Sequence, residues 1–117
     1  MGTIKRFEDL EIWQLARELL SLIYEDFRNC RDFTLKNQVI DAGLSVMNNI
    51  AEGFSRDSDK EFKQFLNISK GSDGEVKSLY YVAEDQKYVT IETAKDRRNR
   101  TEILKFKITN FMFYLKK

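Results

Sequence analysis

In 117 residues there is no proline. A proline inside a helix removes a backbone donor and clashes with the preceding turn. A chain free of it, with apolar residues at helical spacing, can run as long unbroken helices. The spacing is there. From Glu8 to Asn29, Ile12, Ala16, Leu19, Ile23 and Cys30 recur at intervals of three, four or seven, with Trp13, Leu20, Tyr24 and Phe27 beside them. That is helical period, not strand alternation. Three more such stretches follow, at about 35–54, 58–87 and 91–115. Thr34 is the expected cap of the second stretch, and Ser58 with Glu61 has the S-x-x-E spacing of a capping box at the third. All the breaks are short, which favours antiparallel neighbours. The expectation is all-α: an up-down-up-down antiparallel four-helix bundle, one domain over residues 1–117.

Composition narrows the chemistry. Nine Phe, five Tyr and one Trp fit a packed core rather than a disordered chain. The chain contains no histidine, so no imidazole serves as general base or metal ligand. Ser–His and Cys–His nucleophile pairs are excluded. Cys30 is the only cysteine, which rules out an internal disulfide and leaves a zinc site short of its usual ligands. Cys30 reads as a small hydrophobe at a helix end. No catalytic, cofactor or metal residues are expected. The opening MGTIKRFEDL has no apolar leader-like stretch, and no run approaches a membrane span. The expectation is a cytoplasmic protein that does not engage membranes.

The second helix is apolar around too much of its circumference. At 100° per residue, Val39, Ala42, Val46 and Gly53 form one stripe, and Ile40, Leu44, Met47, Ala51 and Phe54 a second beside it. Together they span roughly 200°, about twice what a surface helix needs. The excess calls for a further partner, most simply a second copy of the chain, with Ile40, Leu44, Met47 and Phe54 in the interface. In the fourth helix Leu104, Ile108, Phe111 and Leu115 make the core line. Phe106 and Phe113, one heptad apart on the other side, join the expected oligomer contacts. Gly71 and Gly74 fall inside the third helix, where each costs about 1 kcal/mol relative to alanine. They read either as a kink or, preferably, as close helix crossings.

Polar residues offer two candidate surfaces. Ser45, Asn49, Glu52 and Arg56 lie along one strip of the second helix. The strip is either a recognition surface or, as favoured here, a hydrogen-bonded register device. From Lys95 to Lys117 there are eight basic and two acidic residues, whereas Glu8–Asn29 holds six acidic and two basic. Lys95, Arg97, Arg98, Arg100, Lys105 and Lys107 are candidate nucleic-acid contacts, salt-sensitive and blind to sequence. The alternative is that the basic helix packs beside the acidic first helix and cancels its field.

Asn49-Ile50-Ala51-Glu52-Gly53-Phe54, with Gly71-Ser72 and Glu75 about twenty residues on, resembles the four-helix-bundle family named for proteins encoded in intervening sequences of 23S ribosomal RNA genes. Phe7-Glu8-Asp9-Leu10 followed by Trp13, Ala16 and Ile23-Tyr24 is similar to that family's opening helix. Ser58, Lys60, Glu61, Phe62, Phe65 and Leu66 fit its third. The resemblance implies a homo-oligomeric ring, commonly a pentamer, without cofactor or known catalysis. One branch of the family partners a reverse transcriptase as a nucleic-acid-binding accessory protein. RNA, DNA, a reverse transcriptase or another neighbouring gene product are therefore the implied partners besides self. A protein-interaction scaffold that binds no nucleic acid stays open as the second function class. Two residues depart from the family pattern: Ser69 stands where alanine is usual, and Asp73 where a small or apolar residue is usual. Because a buried lone carboxylate is costly, Asp73 is expected to be exposed by a distortion at Gly74 or paired with a basic group.

Overall fold

The computed structural model describes residues 4–115. A 3₁₀ turn at Phe7–Asp9 precedes four helices: α1 (Glu11–Phe27), α2 (Phe33–Phe54), α3 (Asp59–Asp85) and α4 (Ile91–Tyr114). Among the described residues there is no strand. Consecutive helices pack side by side, and α4 closes back onto α1. Side-chain pairs fix the directions. Arg97, Arg100 and Lys107 of α4 meet Asp26, Glu18 and Glu11 of α1, so residue numbers rise along one helix as they fall along the other. The same reversal relates Ser45 and Gly53 of α2 to Ser72 and Phe62 of α3, and Lys77 and Glu84 of α3 to Glu102 and Arg98 of α4. The neighbours are antiparallel. The bundle measures 45 × 21 × 20 Å, its long axis close to the ~40 Å of a 27-residue helix such as α3.

Local chemistry sets the helix ends. Ser58 and Thr90 cap α3 and α4, each side chain accepting from the backbone N–H three residues on, at 3.1 and 3.0 Å. At α2 the cap is Asp32, not Thr34: its carboxylate accepts from Leu35 N–H at 3.1 Å and the helix begins at Phe33. A carboxylate there also favours the positive end of the helix dipole. The first stretch is not one helix from Glu8. Leu10 is extended (φ −77°, ψ 127°), which separates the 3₁₀ turn from α1 and buries the leucine at 2% exposure. Phe7 then lies edge-on to Trp13, ring centres 5.2 Å apart. The turn from α3 to α4 closes with Lys87 N–H on Glu84 C=O and Tyr88 N–H on Ala83 C=O, at 3.0 and 2.9 Å. Lys87 takes the left-handed conformation (φ 63°) that glycine usually supplies at this position.

One apolar cluster draws on all four helices, including Trp13, Ile23 and Phe27 of α1, Val39 and Ile50 of α2, Leu66 and Tyr80 of α3, and Leu104 and Ile108 of α4. Three further outcomes differ from the sequence reading. First, much of the second stripe of α2 is covered within the chain: Ile40, Met47, Ala51 and Phe54 are half-buried against the core. Second, α3 runs unbroken through Gly71 and Gly74, but neither is a close crossing. A Cβ built on either meets nothing within 4 Å. The crossings sit at Gly53, where a Cβ would lie 2.8 Å from Phe65 Cβ, and at Gly43, 2.9 Å from Ile23 Cδ1. Third, Asp73 is neither exposed nor paired. It is 1% exposed, in line with Phe62, Leu66 and Tyr80, and its Oδ1 has no hydrogen-bond partner. The α3 helix stays regular at Gly74, so no distortion carries the carboxyl outward.

Candidate interaction surfaces

The α4 helix is apolar on two opposite sides. Ala94, Leu104 and Ile108 are buried on the inner line. On the outer side Ile103, Phe106, Phe113 and Tyr114 are 43%, 66%, 83% and 65% exposed. At 100° per residue these four fall within an arc of about 100° whose centre lies opposite the core line. Isolated exposed apolar groups are ordinary, but a stripe of large ones on one helix marks an interaction surface. It continues into a groove of about 450 Å³ between the start of α1 and the end of α4, lined by Ile4, Leu10, Ile12, Phe106, Phe111 and Tyr114, with Glu11, Lys107 and Asn110 at its polar edge. Of the six side chains expected at an interface, Phe106 and Phe113 are the most open. Ile40, Leu44, Met47 and Phe54 are half-buried, with Leu44 on the side of α2 turned furthest from the core.

The basic residues of α4 are largely spent inside the chain. Arg97 donates from Nε and Nη2 to the two oxygens of Asp26 at 2.7 and 2.9 Å, and its side chain is only 14% exposed. The Tyr80 hydroxyl donates to the same carboxylate at 2.6 Å. The bond to Asp26, with Asp96 adding to it, pushes the Arg97 pKa up, so the guanidinium stays charged. Burial, and then the bond to Asp26, pushes the Tyr80 phenol up, so it stays a donor. Arg98 bonds Glu84 at 2.8 Å and lies 4.0 Å over the Tyr81 ring. Arg100 and Lys107 reach Glu18 and Glu11, each at 3.3 Å. Lys95 and Lys105 are exposed, and no ion pair is formed by either among the described residues. The acidic α1 and basic α4 thus neutralise each other along their seam.

The polar strip of α2 divides in two. Asn49 donates to Ser45 C=O and Oγ at 2.8 and 3.0 Å, and Ser45 Oγ lies 2.7 Å from Ser72 Oγ of α3. Nearby, buried Ser69 donates to Val46 C=O at 2.7 Å, which locks α3 against the α2 backbone. Glu52 and Arg56 form a separate exposed pair at 2.6 Å, with Arg56 stacked 4.8 Å over Phe65. The sequence reading missed the Tyr80–Asp26–Arg97 triad. A signal existed: Arg97 stands one heptad before Leu104 and two before Phe111, on the core line of α4.

A four-helix architecture alone is shared by many proteins. What decides the family is the match of the 23S rRNA-intervening sequence protein model to residues 8–110. The chain belongs to that family. Consistent with it, the fold is similar to the crystal structure of a protein of unknown function from the S23 ribosomal protein family of Bacteroides thetaiotaomicron. The TM-score is 0.80 at 19% identity, covering 86% of this chain and 97% of that one. Among curated proteins, none matches the chain. Membership places the N-I-A-E-G segment of α2, with its Gly53 crossing, inside the family match. No described helix is long and apolar enough to cross a membrane.

Proposed function

We propose that this family member is a non-catalytic assembly module that joins copies of itself head to tail into a ring. The observation that carries it is the outward row Ile103, Phe106, Phe113 and Tyr114 on α4. The complementary patch is the half-buried edge of α2 at Ile40, Leu44 and Met47, of which Leu44 is turned furthest from the core, on a helix that lies diagonal to α4 with no close backbone approach between the two. Two different patches on opposite sides of one chain suit a heterologous contact, in which one copy's α4 meets the next copy's α2. Such contacts close into rings when the rotation permits. The pentamer implied by the family resemblance is one such closure. Light scattering tests the reading: a defined oligomer is expected, and Phe106→Ser with Phe113→Ser should reduce it to single chains that remain helical. A single 13.9 kDa species at micromolar concentration in the unaltered chain would sink it.

Between the two kinds of scaffold, a protein partner has the better support. Two of the candidate contacts for nucleic acid, Arg97 and Arg98, are committed to Asp26 and Glu84. Of the six candidate contacts on α4, those that a ring would repeat as exposed ammonium groups outside any ion pair among the described residues are Lys95 and Lys105. Retention of RNA or duplex DNA on a filter at low salt, lost in a Lys95→Gln, Lys105→Gln variant, would reverse that preference.

A further inference from the structure

The α3–α4 seam holds one carboxyl that its surroundings do not accommodate. Asp73 is buried in the core line of α3, with Oδ1 unpartnered. On the same line, Ser69 has satisfied its hydroxyl on Val46 C=O, and on α4 the buried Thr101 hydroxyl donates to Arg98 C=O at 2.6 Å. Neither is left over for Asp73. The charged groups that act on it are Glu102 and Lys105 from α4 and Lys77 from α3, while none from α1 or α2 does so. Lys77 is already bound to Glu102 at 2.7 Å. Lys105 is exposed and is the one of these groups without an ion pair among the described residues.

We propose that Asp73 is a proton-operated latch between α3 and α4: neutral, it stays packed in the seam, and ionised, it loosens the seam by drawing in water or the Lys105 ammonium. A neutral carboxyl tolerates an apolar site far better than a carboxylate does. Burial first, then Glu102, pushes the Asp73 pKa from 3.8 to about 7, against the pull of Lys105 and Lys77. The sign follows from proton binding. Between those two values the folded chain holds a proton that the unfolded chain has released. The stability this supplies is full below about pH 4 and is lost as pH rises towards 7, at about tenfold in the folding constant per unit. Because the chain contains no histidine, the residue that ordinarily titrates in this range is missing. The latch lies within one chain, so it does not depend on the ring.

Carbon-13 NMR of aspartate-labelled protein reads the group directly. The Asp73 carboxyl resonance should titrate with a midpoint near pH 7, and amide shifts of 98–108 in α4 should follow the same curve. Glu102→Gln should lower the midpoint and Lys105→Gln should raise it, two opposite shifts that a general loss of structure does not produce. Asp73→Asn, of the same shape, should abolish the fall in urea midpoint between pH 5 and pH 7.5. A carboxyl midpoint below pH 5 overturns the proposal. So does an Asn variant that keeps the original pH dependence, or α4 amides that do not respond while Asp73 titrates.

Discussion

The Asp26 carboxylate is held by two donors from two other helices, Tyr80 of α3 and Arg97 of α4. This ties three of the four helices together at the end of the bundle where α1 stops and α4 starts. Such a group is stable as a set, and losing one member leaves a buried charge without its partner. Replacing Arg97 by methionine should therefore destabilise the fold by about 3–5 kcal/mol, the usual cost of breaking a buried pair from one side. Tyr80→Phe removes one hydrogen bond but leaves the ion pair and the edge-on contact with Phe27, ring centres 5.7 Å apart. It should cost only about 1–2 kcal/mol. Urea unfolding of both variants checks the order. If Arg97→Met proves the milder change, the guanidinium is a surface group, and its place among nucleic-acid contacts is restored.

Glycines separate what a sequence can show about elements from what it cannot. Helical period, short breaks and the S-x-x-E signal made the four helices and their antiparallel order readable, since those depend on residues close in the chain. Which glycine marks a crossing depends on what the neighbouring helix presents, and no local pattern carries that. Gly53 faces Phe62 and Phe65 across the α2–α3 connection, whereas Gly71 and Gly74 face outward. The same limit hid Asp73, whose position on the core line was legible but whose lack of a partner was not. It also hid the partial coverage of the α2 stripe, where Ile40, Met47, Ala51 and Phe54 pack against a core built from all four helices and Phe54 meets Phe62 of α3 edge-on. Gly71→Ala and Gly74→Ala should each stabilise the chain by about 1 kcal/mol, because both have helical backbone and open space. Gly53→Ala should destabilise it by about 1–3 kcal/mol, because Phe65 Cβ cannot yield without moving α3. Thermal unfolding decides, and a destabilising Gly71→Ala would mean that another chain packs closely on that face.

At the scale of the whole molecule, the question is how two apolar faces on opposite sides of a narrow bundle are used. An isologous dimer needs one face that meets its own copy, and it would leave either the α2 edge or the α4 row in water. A head-to-tail contact uses both faces in every copy, and it predicts a mixing result that an isologous contact cannot give. Leu44→Glu should disable the α2 face alone, and Phe106→Glu the α4 face alone. Both sites are at the surface or half-buried, so the bundle should fold in either variant. Each variant by itself should remain a single chain in light scattering, because every contact needs one intact face of each kind. Mixed in equal amounts, one variant supplies its intact α4 row and the other its intact α2 edge. The pair should then associate and stop at two chains, since the remaining faces are both disabled. A Leu44→Glu variant that still assembles fully by itself would show that α4 meets α4, and a mixture that stays monomeric would show that the α4 row and the α2 edge do not meet; either result means that the ring is not built this way.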